Sequence, residues 1–173
     1  MKLITLAFIK TLLLFTLMNC LFSFQSNAND NFSVYLVRHA EKQLDVKNPP
    51  LTQCGQQRAE QLALMLEKAN ITHIYSTQYT RTEQTAAPLA KQLNLTVKSY
   101  SPSDLETFAA KIKQAKKTSL IVGHSNTTPE LTALIANTPV ESITEQEYQM
   151  LYQVTFTGEQ AQLAILKQPL TCQ

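Results

Sequence analysis

At 173 residues with a formal net charge of +2, the chain is long enough for one hydrophobic core and too evenly charged to read as a nucleic-acid binder. Its longest basic run is Lys116-Lys117, too short to mark a membrane-surface patch. With no internal repeat, low-complexity tract or linker, the composition predicts a single domain.

The chain opens with Lys2 and Lys10 and no acid before Asp30. An apolar run from Thr11 to Phe24 follows, and then the small-residue pattern Ser26-Asn27-Ala28. This layout predicts a secretory signal peptide over 1–28, cleaved near Ala28, and a periplasmic or secreted product. The apolar run, interrupted by Thr16 and Asn19, falls short of the ~20 residues needed to span a bilayer. A lipoprotein site at Cys20 is a lesser alternative, because the preceding Asn19 is bulky for such a site. Cleavage leaves 145 residues, 29–173, with 13 basic and 13 acidic side chains. It also leaves Cys54 and Cys172, which either pair in an oxidising compartment or stay as free thiols.

Ser33–Val37 is short, β-branched and aromatic, and reads as a buried strand. After the Pro49-Pro50 loop, Thr52 is the expected N-cap of a helix with Ala59, Leu62, Ala63 and Leu66 on one face, ending near Asn70. Arg58 on this helix is expected to face solvent. Thr72–Tyr75 reads as a short strand and Tyr79–Leu93 as a second helix, which Pro88 should kink or break. A third strand is expected over Leu95–Lys98. It is followed by a helix over Pro102–Ala115 with Leu105, Phe108, Ala109 and Ile112 inward. Thr118–Val122 is another buried strand, and Thr128-Pro129 starts a further helix. Met150–Phe156 and Gln160–Leu166 flank Thr157-Gly158-Glu159 as an antiparallel hairpin. Strands alternating with helices and closing on a hairpin predict an α/β three-layer sandwich: a mostly parallel sheet with helices on both faces.

Arginine and histidine are scarce, three of each. Arg38, His39, Arg81 and His124 all lie at or just beyond the C-terminal ends of predicted strands, the edge where open α/β sheets bind ligands. Two guanidiniums and two imidazoles there suit the oxygens of a phosphoryl group. Ser125 and Asn126, preceding a helix N-terminus, offer further donors. His73 has no matching role and reads as structural. A zinc site on His39, His73 and His124 is disfavoured, because ligand spacing is absent and the arginines would repel a cation.

Four segments, LVRHAE (36–41), LTQCGQQRA (51–59), YSTQYTRTEQTA (75–86) and VGHSN (122–126), resemble the histidine phosphatase superfamily, in that family's order and with its Arg-His-Ala motif. The resemblance implies a phosphoglycerate mutase-like fold and a metal-independent, cofactor-free phosphomonoester hydrolase acting on a small phosphorylated substrate. His39 would be the nucleophile, with Arg38, Arg81 and His124 binding phosphate. It also implies a carboxylate proton donor after the third strand, where Asp104 stands first and Glu106 second, with Glu41 a third candidate. Asp104 and Glu106 suit equally well the first turn of a helix, where the dipole favours acids. Alternatives are a phosphoprotein (phosphohistidine) phosphatase and a non-catalytic binder of phosphorylated envelope molecules. A mutase would need extra segments to hold its substrate. Substrate and oligomeric state are not legible.

Overall fold

In the computed structural model, which describes residues 31–170, the first strand already shows how the layers form. In β1 (Phe32–Arg38), Phe32, Val34 and Leu36 point to one side and Val37 to the other, all buried, because successive strand side chains alternate faces. The remaining elements in chain order are α1 (Gln53–Leu66), β2 (His73–Ser76), α2 (Thr80–Leu93) and β3 (Val97–Ser99). They continue with α3 (Leu105–Ala115), β4 (Ser119–Gly123), α4 (Thr127–Ala136), β5 (Met150–Thr157) and β6 (Gln160–Lys167).

Among the described residues the strands form one six-stranded sheet in the order β3-β2-β4-β1-β5-β6. The pairs β3–β2, β2–β4 and β4–β1 are parallel; β1–β5 and the β5–β6 hairpin are antiparallel. On one face Val34, Leu36, Ile121 and Tyr152 meet Phe108 and Ile112 of α3 and Leu131 and Ile135 of α4. On the other, Val37, Ile74, Leu120, Val122 and Leu151 meet Leu62 and Leu66 of α1 and Ala86 and Leu89 of α2. This is the three-layer phosphoglycerate mutase-like architecture. Burying two apolar faces at roughly 25 cal/mol per Å² holds its layers together.

Element boundaries differ from expectation in four places. Helix α1 stops at Leu66, where the Ala69 N–H bonds back to the Leu66 carbonyl in a tighter turn and Asn70 turns left-handed (φ 55°). Helix α2 continues through Pro88; buried Ala86, Leu89 and Ala90 on both sides of it outweigh one missing backbone donor. Helix α3 starts at Leu105 rather than Pro102, capped by Asp104. Strand β3 is shifted toward its C-terminus. Among the described residues, no helix is long and apolar enough to cross a membrane. The expected signal peptide, its cleavage site near Ala28 and Cys20 lie outside the described residues, as does Cys172. Cys54 is disulfide-bonded, and the tail returns to α1, where the Leu170 N–H donates to Gln61 Oε1 at 3.1 Å.

The sheet order creates the site. Strands β1 and β4 are parallel neighbours, with Arg38 opposite Gly123, yet the chain leaves β1 toward α1 on one face and β4 toward α4 on the other. A crevice opens between diverging connections of this kind, at the carboxyl ends of the strands.

Candidate active site

Arg38 is the last residue of β1, and His39 follows it with its N–H bonded to the Gly123 carbonyl at 2.9 Å. The turn beyond is fixed from three sides. Thr85 Oγ1 accepts from the Ala40 N–H at 3.0 Å. The Thr52 N–H donates to the Glu41 carbonyl at 2.9 Å. Gly55 packs so tightly that a Cβ there would lie 2.2 Å from the Glu41 carbonyl oxygen. The first turn of α1 thus clamps the segment carrying His39.

His39 is buried, and its Nδ1 lies 2.8 Å from the Ala40 carbonyl oxygen. A carbonyl only accepts, so Nδ1 carries the proton and Nε2 keeps its lone pair. Burial is the main force holding the His39 pKa down to about 3, and it outweighs the Ala40 bond, which favours the charged ring; Arg38, Arg81 and His124 add repulsion. The ring is therefore neutral at neutral pH, the state a nucleophile needs.

The His124 ring centroid lies 5.7 Å from that of His39, edge to face. Gly123 before it is forced by close approach, since a Cβ would come within 2.8 Å of the Tyr100 hydroxyl and 2.9 Å of Thr128 Oγ1. His124 is pushed down to about 4, first by burial and then by Arg81 and Arg38, while Glu145 acts in the opposite sense. Arg81, in the first turn of α2, reaches His124 Nδ1 through Nη2 at 3.4 Å and stacks 4.5 Å over the Tyr79 ring. Arg38 lies 4.2 Å over the Tyr148 ring. The Nε atoms of Arg38 and Arg81 are buried without an acceptor among the described residues, which is costly unless an anion takes those protons.

The structure therefore brings Arg38, His39, Arg81 and His124 together. His39, Arg81 and His124 share a cleft of about 440 Å³ with Lys42, Tyr79, Ser103, Ser125, Asn126 and Glu145. It does not bring in the three carboxylates weighed as proton donors. Asp104 caps α3, accepting from the Thr107 N–H at 3.2 Å. Glu106 is exposed on α3 and does not line the cleft. Glu41 accepts from Arg58 Nε through both carboxylate oxygens, at 2.9 and 3.0 Å, and from Nη2 at 2.6 Å. That pair corrects the solvent-facing reading of Arg58, which is buried: a helix position facing the loop after His39 looks polar in sequence because its partner is a charge. His73, at the opposite end of β2, takes no part.

Glu145 and Tyr148 went unread in the sequence. They lie between α4 and β5 in a stretch without periodicity, and nothing there signals that it folds back over β1. Thr77 is the third addition, 3.0 Å from His124 Nε2. It lay within one of the matched segments, which was the signal available for it. Among the described residues, no three His, Cys, Asp or Glu side chains gather as a metal-ligand set.

Comparison with known proteins agrees with this fold. Residues 34–101 match the family model described as "Histidine phosphatase superfamily (branch 1)". The protein named "Probable phosphoglycerate mutase GpmB" of Proteus mirabilis is 42% identical over 65 residues, covering 34% of this chain. The match spans only 30% of that relative's length. Among solved structures, the protein histidine phosphatase SixA complexed with tungstate superposes with a TM-score of 0.64 at 19% identity, covering 79% of this chain and 97% of that one. The alpha-ribazole phosphatase of Shigella flexneri gives 0.65 at 17% identity, covering 79% and 96%. A mycobacterial glucosyl-3-phosphoglycerate phosphatase gives 0.62 at 12%, covering 82% and 100%. At these identities the superpositions establish the fold, while the matched segment spans the strand ends that carry Arg38, His39 and Arg81. Over residues 34–101 the chain is similar to the histidine phosphatase superfamily.

Proposed function

We propose that this chain is a metal-independent phosphomonoester hydrolase that works through a phosphohistidine on His39. The observation that carries the reading is the fixed tautomer of His39: a neutral imidazole with Nδ1 tied to the Ala40 carbonyl and Nε2 available, beside two guanidiniums. Nε2 attacks phosphorus while the ester P–O bond breaks, and water then cleaves the P–N bond to release phosphate. Arg38 and Arg81, each with a buried Nε that has no acceptor among the described residues, bind the phosphoryl oxygens and offset their charge during transfer. A bound dianion raises the pKa of His124, since added negative charge favours the imidazolium, and turns that ring into a further donor. The polar lining, with Lys42, Ser103 and Asn126 at the rim, suits a small hydrophilic phosphate ester. The segment 1–28 supports export to the periplasm.

The test uses residues 29–173 with an aryl phosphate in EDTA. Turnover inhibited by vanadate is expected, together with loss of both turnover and acid-labile phosphate incorporation in His39→Ala. Undiminished activity in that variant removes His39 from the mechanism. A second reading, a phosphatase of protein phosphohistidine, draws on the superposition with the structure named SixA; preference for a phosphohistidine protein over every small ester would select it. Vanadate binding without turnover on any substrate would leave the non-catalytic binder.

A further inference from the structure

We propose that Glu145, in the loop between α4 and β5, is the proton donor to the leaving group; this rests on the phosphatase reading above. Of the three carboxylates weighed from the sequence, Asp104 is committed to the α3 N-terminus and Glu41 to Arg58, and Glu106 is exposed and does not line the cleft. Glu145 is the carboxylate that lines the cleft among the described residues.

Its position is set by the same arginine that would hold the phosphoryl group. Arg38 Nη1 donates to the Thr144 carbonyl at 3.0 Å and the Glu147 carbonyl at 3.4 Å, and its guanidinium covers the Tyr148 ring. The loop is braced further by the Thr144 N–H, which donates to Glu147 Oε2 at 2.8 Å. The Glu145 carboxylate accepts from Arg38 Nη2 at 2.6 Å and from the Ser125 hydroxyl. Its side chain is 67% exposed, so it stands at the mouth of the cleft, where a leaving group departs and protons exchange with solvent.

A phosphoryl group arriving between Arg38 and His39 competes for the donors that Glu145 uses and sets a second negative charge beside it. Like charges at close range favour protonation of the carboxylate. As the bond from His39 Nε2 to phosphorus forms and the ester P–O bond breaks, the carboxyl proton moves to the departing oxygen, giving a neutral alcohol. The carboxylate left behind takes a proton from the attacking water as the P–N bond breaks. Ester and water enter, alcohol and phosphate leave, and Glu145 is restored.

The experiment compares kcat/KM for wild type and Glu145→Gln across phosphate monoesters with nitrophenyl, phenyl and alkyl leaving groups. Glutamine keeps the shape, an oxygen that accepts from Arg38 and an amide that can donate to the Ser125 hydroxyl oxygen, but carries no transferable acid. The expected result is a fall of about 100-fold for the alkyl ester, at least about 30-fold greater than the fall for the nitrophenyl ester. An equal fall across the series assigns Glu145 to ordering the loop and overturns the proposal. A faster variant overturns it too, making the carboxylate a resident competitor for the phosphate pocket. Both results presuppose an active wild type; a wild type that hydrolyses none of the esters ends the phosphatase reading, and this one with it.

Discussion

Arg81 and His124 fix the direction of a proton chain. Guanidinium groups only donate, so the 3.4 Å contact from Arg81 Nη2 makes His124 Nδ1 the acceptor, and the remaining ring proton sits on Nε2, 3.0 Å from Thr77 Oγ1. Thr77 then passes its own hydroxyl proton to Thr82 Oγ1 at 3.0 Å, and Thr82 donates to backbone carbonyls of Thr77 and Tyr79. His39 holds the opposite tautomer through Ala40. Two imidazoles in one cleft are thus set to opposite protonation patterns by neighbours that cannot reverse roles.

Nitrogen-15 NMR of the imidazole rings should show this directly. His39 is expected protonated on Nδ1 and His124 on Nε2, both staying neutral between pH 8 and pH 5, since burial holds them at about 3 and about 4. A doubly protonated His39 signal at pH 6 in the ligand-free protein would contradict the assignment.

The same depressed values predict how stability depends on pH. In the unfolded chain both rings take up a proton as pH falls through about 6.5, while in the folded protein they do so only near 3 and 4. The unfolded state therefore binds more protons across this window. Stability is full above pH 6.5 and declines toward the folded values. Between pH 7 and pH 5, above the carboxylate range, each histidine should account for a loss of about 1–2 kcal/mol. Denaturant unfolding at the two pH values measures it. His39→Gln should remove roughly half of the difference; an unchanged difference would show that His39 is not held neutral.

Much of this was legible in advance because it rests on local pattern. The β-branched and aromatic run Ser33–Val37 and the helical spacing of Ala59, Leu62, Ala63 and Leu66 are read over a few residues, and the structure buries Val34 and Leu36 on one face of the sheet and Val37, Leu62 and Leu66 on the other. Scarcity also helped: three arginines and three histidines, four of them at strand ends, picked out the cleft. The cleft carboxylate Glu145 was not legible because its place depends on tertiary folding. Asp104 precedes an amphipathic helix and is used as its cap, which the local sequence favours as strongly as catalysis. Glu145 reaches Arg38 across 107 positions, and no periodicity encodes such a pairing. Arg58 was misread for a related reason, since a buried arginine is visible only once Glu41 is known to face it.

Gly55 offers a test of how the nucleophile is positioned. A methyl group at residue 55 would sit 2.2 Å from a backbone oxygen of Glu41 and 3.0 Å from its carbonyl carbon, and backbone cannot rotate away as a side chain can. Gly55→Ala should cost about 1–3 kcal/mol in stability through overpacking, although alanine is the better helix former. Because the displaced segment carries His39, kcat should fall more than binding of vanadate weakens. A variant as stable as wild type with unchanged kcat would mean that α1 does not set the turn after β1.

Asp104→Asn separates capping from catalysis. Asp104 Oδ1 accepts from the Thr107 N–H at 3.2 Å, a bond that asparagine, an equally good N-cap, can keep; the substitution loses only the interaction of a negative charge with the helix dipole, about 0.3–1 kcal/mol. Asp104→Ala also loses the cap itself, a cost of about 1 kcal/mol. Neither should change the ratio of kcat/KM between an alkyl and a nitrophenyl phosphate, because the carboxylate points to its own helix and does not line the cleft. Thermal unfolding and the two-substrate ratio decide the matter together. A selective loss on the alkyl ester in Asp104→Asn, with stability intact, would return the proton donor to the loop after β3 and leave Glu145 as a ligand of Arg38 alone.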